Sequence, residues 1–238
     1  MVFNQFVAKR CPVWMGLALS SFLFFLPLVS IAFAGTLKPE EISSIQSKSA
    51  SLKEFKSEFM QETYSARTKQ TKSSEGVLQF KSPKSFRWET VKPKKELYVS
   101  NGQDLWKYVE SRKHAQQIPS DKAQLDFLNV LFNLATLQEK YQVESWESGD
   151  ALEPGLPDGG KETGIFLKLK PKGGHPGTQG QLAVFLQISR SMGNVSEMRI
   201  HFDNGNKTKL SFSEFKVQSQ SADSFEFKVP KGVVVDKI

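Results

Sequence analysis

The sequence has little of what metal centres, disulfides and nucleophilic catalysis require. It contains one cysteine, Cys11, and three histidines in 238 residues. His114, His175 and His201 are far apart and fit neither an H-E-x-x-H helix nor a Cys/His zinc pattern. No G-x-S-x-G elbow, complete P-loop or G-x-G-x-x-G turn is present. We therefore expect no metal, no cofactor and no enzymatic activity, and we interpret each histidine as a surface residue.

The sequence also lacks a clustered basic patch, although basic residues are in excess. Lysine and arginine number 32 against 25 aspartate and glutamate, for a formal net charge of +7. The lysines are scattered between predicted strands, and no RNA-binding signature is present. This pattern argues against a nucleic-acid partner and favours transient contact with acidic surfaces or anionic headgroups.

The longest apolar run lies near the start of the sequence. Residues 13–34 carry no charge, follow Lys9-Arg10 and end in Ala32-Phe33-Ala34. A positive segment, an apolar segment and an A-x-A site are typical of a secretory signal that is cleaved, here after Ala34. The run is also long enough for a transmembrane anchor, but Pro27 and the small residues at its end favour cleavage.

The position of Cys11 distinguishes this sequence from lipoprotein precursors. A lipoprotein places its lipid-bearing cysteine directly after the apolar run, whereas Cys11 precedes that run. We therefore predict a signal peptide over residues 1–34 and one exported domain over residues 35–238. That domain has no cysteine, no disulfide and no covalent lipid, and we expect it not to insert stably into a membrane.

Residues 76–108 predict a meander of short antiparallel strands. Apolar and polar residues alternate, and Ser82-Pro83, Lys92-Pro93 and Asn101-Gly102 mark the turns. One face is then wetted by solvent and the other is crowded with large apolar groups. The residues assigned to the apolar face are Leu78, Phe80, Phe86, Trp88, Leu97, Val99, Trp106 and Tyr108. From these residues alone, that face is either an ordinary core or the lining of a cavity.

Two helices are predicted outside the meander. The first covers roughly residues 39–50, with Pro39 in its first turn and an apolar stripe that contains Ile42 and Ile45. The second covers residues 125–134 and is apolar on two sides. Such a helix is either buried on more than one side or covers an apolar surface that is exposed at other times. Its apolar residues include Leu128, Leu131 and Phe132.

Most of the remaining sequence has the alternation of strands. Periodicity alone leaves residues 55–63 open between helix and strand. Gly149–Gly164 and Pro171–Gly180 are predicted surface loops. With no internal repeat and no linker, the strands predict one antiparallel sheet that curls on itself. The further predicted strands are Gln116–Ile118, Tyr141–Trp146, Ile165–Lys170, Leu182–Ser189, Ser196–Phe202, Lys209–Lys216 and Ser224–Val229.

Three stretches carry a longer shared pattern. Phe55, Phe59 and Gln61 form F-x-x-x-F-x-Q, and residues 225–236 read F-E-F-K-V-P-K-G-V-V-V-D. Within the meander the pattern comprises Gly76, Leu78, Phe80, Lys81, Pro83, Phe86, Arg87, Trp88, Glu89, Val99, Ser100, Asn101, Gly102, Leu105, Trp106 and Tyr108. Together these stretches resemble the LolA family, whose members ferry lipoproteins between the two membranes of diderm bacteria. The resemblance favours a strand over residues 55–63.

The resemblance implies a mainly β fold with a binding cavity. The family fold is a single-domain, incomplete antiparallel β-barrel of about 11 strands, with helices that form a lid over an apolar cavity. The lining residues expected from this fold are Leu78, Phe80, Phe86, Trp88, Leu97, Val99, Trp106, Tyr108, Leu210 and Phe212. The expected lid residues are Ile42, Ile45, Leu128, Leu131 and Phe132.

The resemblance also implies a function and partners. A monomeric periplasmic carrier would receive acylated lipoproteins from a LolCDE-type complex of the inner membrane and deliver them to a LolB-type outer-membrane acceptor. Each buried CH₂ is worth about 0.8 kcal/mol, so several acyl chains need an enclosed apolar site. The alternatives are a periplasmic lipid-binding, glycolipid-binding or envelope-sensing module of the same fold, and a secreted lipid hydrolase.

One position departs from the family pattern. Many members have a basic residue directly before the proline of the K-x-P turn, and that residue bonds to the lid. This sequence has Ser82 there, between Lys81 and Pro83. A serine makes only a shorter, neutral hydrogen bond, so the latch role is not assigned to Ser82.

Overall fold

The structure is a computed structural model that describes residues 39–119, 126–145, 164–173 and 180–238. The predicted signal peptide, Leu125, Trp146 and His175 lie outside the described residues. Across the described ranges, no helix combines the length and the apolar content that crossing a membrane requires.

Twelve strands and three helices make up the described structure. The helices are α1 (Pro39–Ser51), α2 (Asp126–Phe132) and α3 (Leu137–Lys140). Short 3-10 turns lie at Glu110–Arg112, Leu134–Thr136 and Ala222–Phe225. The strands are β1 (Glu54–Ser65), β2 (Gln70–Lys81), β3 (Ser85–Lys92), β4 (Glu96–Asn101), β5 (Asp104–Val109), β6 (His114–Pro119), β7 (Tyr141–Ser145), β8 (Gly164–Pro171), β9 (Gln181–Ser189), β10 (Val195–Phe202), β11 (Lys207–Val217) and β12 (Val234–Lys237).

All twelve described strands belong to one sheet. Their order is β12-β6-β5-β4-β3-β2-β1-β11-β10-β9-β8-β7, so β1 pairs with β11 and joins the two halves. The strand pairs are antiparallel except β12 with β6, which is parallel. The predicted mainly β fold with few helices is confirmed as one open, curved sheet, with twelve strands where about eleven were expected.

Most local predictions are confirmed, and one strand was wrong. Helix α1 covers the predicted helix at 39–50, and strand β1 covers the ambiguous stretch at 55–63. The strand predicted over Ser224–Val229 does not form, because this segment lies across a sheet face instead of pairing at an edge. Its alternating phenylalanines pack on that face, and the last strand is β12 instead.

The turn between β4 and β5 shows how the sequence fixes local geometry. Gly102 has φ +94°, a value that residues with a Cβ rarely adopt. Asn101 Oδ1 accepts hydrogen bonds from the backbone N–H groups of Gln103, at 3.0 Å, and Asp104, at 3.1 Å. The glycine and the asparagine together close this hairpin.

The register of the meander divides its apolar residues between two faces. Trp88 lies opposite Leu78 in β2 and opposite Tyr98 in β4, which defines the inner face. Val99 lies opposite Arg87 and therefore belongs to the outer face. Four residues predicted for the cavity lining lie on this outer face, namely Leu97, Val99, Trp106 and Tyr108. That prediction was wrong because alternation shows which residues of one strand share a face, but not how neighbouring strands align.

The outer face carries its own hydrophobic cluster. Leu97, Val99 and Phe225 are buried there, and Phe227 packs against Trp106 with ring centroids 5.1 Å apart. Phe225 and Phe227 come from the segment that was predicted as a strand. The four misassigned residues therefore pack against the carboxyl-terminal segment. Leu97 and Tyr108 also line a groove of about 380 Å³ beside Phe227, on the face opposite to the predicted cavity.

A polar contact at Gln220 anchors the same segment. The buried Gln220 donates its backbone N–H to the carboxylate of Glu54 and accepts a hydrogen bond of 3.1 Å from Lys81 Nζ. The N–H of Gln220 lowers the pKa of the Glu54 carboxyl below its ordinary value; partial desolvation opposes the shift and Lys81 reinforces it.

We predict that acid loosens this anchor. Because the pKa of Glu54 is lower in the folded chain, its stabilisation is present above the unfolded-state pKa and is lost as pH falls through the folded-state pKa. Glu54→Gln should reduce the hydrogen-exchange protection of the Gln220 amide at neutral pH, whereas Glu58→Gln on the same strand should not. An NMR titration in which Glu54 titrates at its ordinary pKa would contradict this assignment.

Candidate functional site

The inner face of the sheet carries a continuous aromatic surface. The ring centroids of Phe55 and Phe80 are 5.3 Å apart, and those of Phe59 and Trp88 are 4.2 Å apart. Gly76 makes the second contact possible, because a Cβ there would lie 2.7 Å from the Phe59 ring. The strands β1, β2 and β3 therefore present aromatic rings side by side on one face.

Helix α2 covers this aromatic surface. The ring of Phe132 stacks on Phe80 with centroids 4.3 Å apart and also contacts Phe55 and Phe86, each at 6.2 Å. Leu128 and Leu131 are buried in the same core cluster. The three residues that were predicted for the lid on this helix thus pack over the inner face.

Helix α1 covers a different part of the sheet. Ile42 and Ile45 lie with Leu134 and Leu137 around a small pocket of about 20 Å³ on the β7–β8 side. Gly193, in the turn after β9, approaches α1 so closely that a Cβ would lie 2.7 Å from Lys48 Cβ. The two predicted lid helices therefore cover separate regions, with α2 alone on the aromatic surface.

A cavity of about 780 Å³ opens beside α2. Trp88, Tyr98 and Leu128 supply its apolar wall. The other lining residues are Gln61, Thr63, Lys72, Ser73, Ser74, Thr90, Pro93, Lys94 and Glu96. The cavity implied by the resemblance is apolar, whereas the observed cavity has one apolar wall and a polar mouth.

Five of the ten expected lining residues are packed in the core of the inner face instead of facing this cavity. Phe80 and Phe86 lie against Phe132. Leu78 and Phe212 line a pocket of only about 20 Å³ together with Leu131. Leu210 is fully buried in the same core cluster. Of the predicted lining, the large cavity contains Trp88, and of the predicted lid it contains Leu128.

The polar mouth was missed by the sequence reasoning, although a signal was present. The inward positions of β1 change from phenylalanine at 55 and 59 to Gln61 and Thr63. The partner positions Lys72 and Ser74 on β2 are polar as well. This change along the strands marks the place where the inner face turns from core to rim.

Charged side chains that line the mouth differ in their ion pairing from those on the strands beside it. Lys92 Nζ lies 2.6 Å from the Glu75 carboxylate, and this hydrogen bond raises the pKa of Lys92. No ion pair joins Lys72, Lys94 or Glu96 to another of the described residues at the distances of a salt bridge. The fold thus brings Lys72 and Lys94, which are distant in sequence, to one opening.

Among the described contacts, the turn at Ser82 is hydrogen-bonded to the segment just before β1 and not to α2. The Ser82 backbone N–H donates to the Lys53 carbonyl at 2.7 Å. Lys81 Nζ lies 3.3 Å from the Glu54 carboxylate. Among the described contacts, α2 is held over the aromatic surface by the rings around Phe132.

The two described histidines lie away from the cavity. His114 Nε2 is 2.8 Å from the Asp236 carboxylate, where β6 meets β12. His201 is buried on the outer face, with its ring 5.0 Å from the Phe185 ring, so its assignment as a surface residue was wrong. Neither residue lines the 780 Å³ cavity.

Comparison with known proteins places these features in a family. Residues 50–228 match the family described as "Outer membrane lipoprotein carrier protein LolA". The outer-membrane lipoprotein carrier protein of Vibrio parahaemolyticus is 26% identical over 220 residues, covering 91% of this chain and 96% of the relative. The protein of that name from Pseudomonas aeruginosa is 27% identical over 163 residues, covering 67% of this chain and 70% of the relative.

A solved structure supports the fold alone. An uncharacterized conserved protein from Thermus thermophilus superposes with a TM-score of 0.54 at 14% identity, covering 84% of this chain and 98% of the other. The match to the family extends over most of the chain and includes the aromatic strands and the helix that covers them. The chain belongs to the LolA family of outer-membrane lipoprotein carrier proteins.

Proposed function

We propose that this protein is a periplasmic carrier that binds the acyl chains of lipoproteins and transfers them without a catalytic step. It would accept cargo released from the inner membrane by a LolCDE-type complex and pass it to a LolB-type acceptor in the outer membrane. The proposal includes export by the signal peptide of residues 1–34 and function as a monomer. Family membership supports the carrier role.

One observation carries the proposal, namely that the 780 Å³ cavity adjoins the aromatic surface beneath α2. Its volume lies within the range of about 300–1,000 Å³ that is usual for small-molecule sites. Trp88 joins the two regions, since it contacts Phe59 in the packed surface and also lines the cavity. Acyl chains that enter at Trp88 would reach further apolar surface by displacing α2.

The same arrangement would allow cargo to be released without an energy source. Each buried CH₂ contributes about 0.8 kcal/mol, so a tightly matched site would retain the chains. Phe132 and the acyl chains would compete for the same rings of Phe80 and Phe86. Binding then exchanges one apolar contact for another, and the net affinity remains moderate.

We predict that a charge at Trp88 abolishes binding. Trp88 is buried among aromatic rings, so Trp88→Asp should destabilise the fold by at least about 3 kcal/mol or remove the acyl site. Arg87→Ala is the matched control, since Arg87 lies on the outer face and pairs with Glu89. Urea unfolding and binding of a diacylated peptide would be measured for both. Equal effects of the two substitutions would contradict the inner-face site.

Removing the ring of Phe132 should have opposite effects on stability and affinity. Phe132→Ala should lower the free energy of unfolding by about 2 kcal/mol through lost packing on Phe80. It should also raise the affinity for a diacylated peptide several-fold, because the competing ring is gone. Phe225→Ala, in the outer cluster, should destabilise the fold without raising affinity. A loss of affinity in Phe132→Ala would show that this ring belongs to the binding surface and not to a lid.

Cleavage of the leader can be tested directly. Intact mass and amino-terminal sequencing of the protein isolated from periplasm should give a chain that begins at Gly35. Replacing the alanines at 32 and 34 by large residues should leave the longer precursor attached to the membrane. An unprocessed chain in the soluble periplasmic fraction would contradict the predicted signal peptide.

A further inference from the structure

Strand β2 extends beyond its neighbour β3 at the mouth of the cavity. The pairing of β2 with β3 covers Glu75–Lys81, and the first residues of β2, Gln70–Ser74, pair with β1 on their other side. No strand among the described residues pairs with the β3-side edge of Gln70–Ser74. We call this segment the open edge.

The open edge is built into the cavity. Lys72, Ser73 and Ser74 line the cavity from the β2 side. Pro93 and Lys94, directly after β3, line it from the opposite side. Pro93 has no N–H to continue the ladder, so the main chain turns away and leaves a notch beside the open edge.

An edge of this kind binds extended polypeptide. Alternate residues of this segment direct their N–H and C=O groups away from β1, and these groups can pair with an added strand, as in β-augmentation. Residues 70–73 are exposed, so the backbone is accessible to a partner. Strands rise about 3.3 Å per residue, so the open edge accommodates roughly five residues of a partner.

We propose that the open edge binds, as an added β-strand, the extended peptide that follows the acylated amino-terminal cysteine of a cargo lipoprotein. This inference rests on the proposed function, because the acyl chains must lie in the adjoining cavity. The cysteine then sits at the polar mouth, with its lipid directed toward Trp88 and its peptide along β2. Backbone pairing makes this recognition tolerant of different cargo sequences.

The charges at the notch predict a preference. Lys72 and Lys94 line it together with one carboxylate, that of Glu96. A peptide that carries an acidic residue should therefore bind more tightly than one that carries lysine, and the difference should diminish in high salt.

The test compares peptides that share one diacylglyceryl cysteine and differ in the chain that follows it. The short peptide has one further residue, the long peptide has eight, and a third has the eight residues with alternate amides N-methylated. We expect the long peptide to bind about tenfold more tightly than the short one, and the N-methylated peptide to lose that gain. Hydrogen exchange of residues 70–74 should slow with the long peptide and not with the short one.

Charge reversal provides a matched pair of protein variants. Lys72→Glu should reverse the preference between acidic and basic long peptides, measured as the ratio of the two affinities in the same variant. Lys84→Glu is the control. Lys84 is exposed in the turn that joins β2 to β3, at the end of this strand pair that is farther from the open edge. Lys84→Glu should not change the preference between acidic and basic long peptides. Urea unfolding of both variants verifies that each is folded.

The outcomes separate this inference from the proposed function. Equal affinity for the short, long and N-methylated peptides, with unchanged exchange at residues 70–74, would overturn the open-edge proposal while acyl binding stands. Failure of every diacylated peptide to bind would overturn both. Slower exchange at residues 70–74 with the long peptide alone, together with its tighter binding, supports the added strand.

Discussion

The structure depends on the register that places Trp88 opposite Leu78 on one side and Tyr98 on the other. Because side chains alternate along every strand, this register assigns each apolar residue of the meander to the inner or the outer face. The inner face then holds the rings that α2 covers, and the outer face holds the cluster that binds the carboxyl-terminal segment. One sheet thereby has two apolar faces, one covered by α2 and the other by the carboxyl-terminal segment.

The packing of the inner face changes along the length of its strands. Near Phe55 and Phe80 it is solidly packed beneath Phe132, while beyond Trp88 it opens into a cavity whose mouth is polar. A lipid-bearing cargo has the same order of chemistry, with apolar chains at one end and polypeptide at the other. The open edge of β2 lies where that change occurs, so acyl binding and peptide binding would take place at one site.

Sequence reasoning succeeded where a single strand or helix decides the result. Alternation located nearly all the strands, and helical spacing located α1 and the apolar residues of α2. The errors arose where two segments had to be aligned. Tyr98 was overlooked and Val99 chosen, because nothing within β4 says which of its faces meets Trp88. His201 was placed at the surface for the same reason, since its burial comes from neighbours on other strands.

The amino-acid sequence by itself determined the mainly β class, the aromatic character of the meander and the family pattern, because each of these is a property of residues close together in the chain. The tertiary structure alone decided which apolar residues face α2, where the cavity opens and which lysines meet at its mouth. These properties depend on strand register and on the unequal lengths of β2 and β3. Both are set by contacts between segments that are distant in sequence, so local periodicity does not predict them.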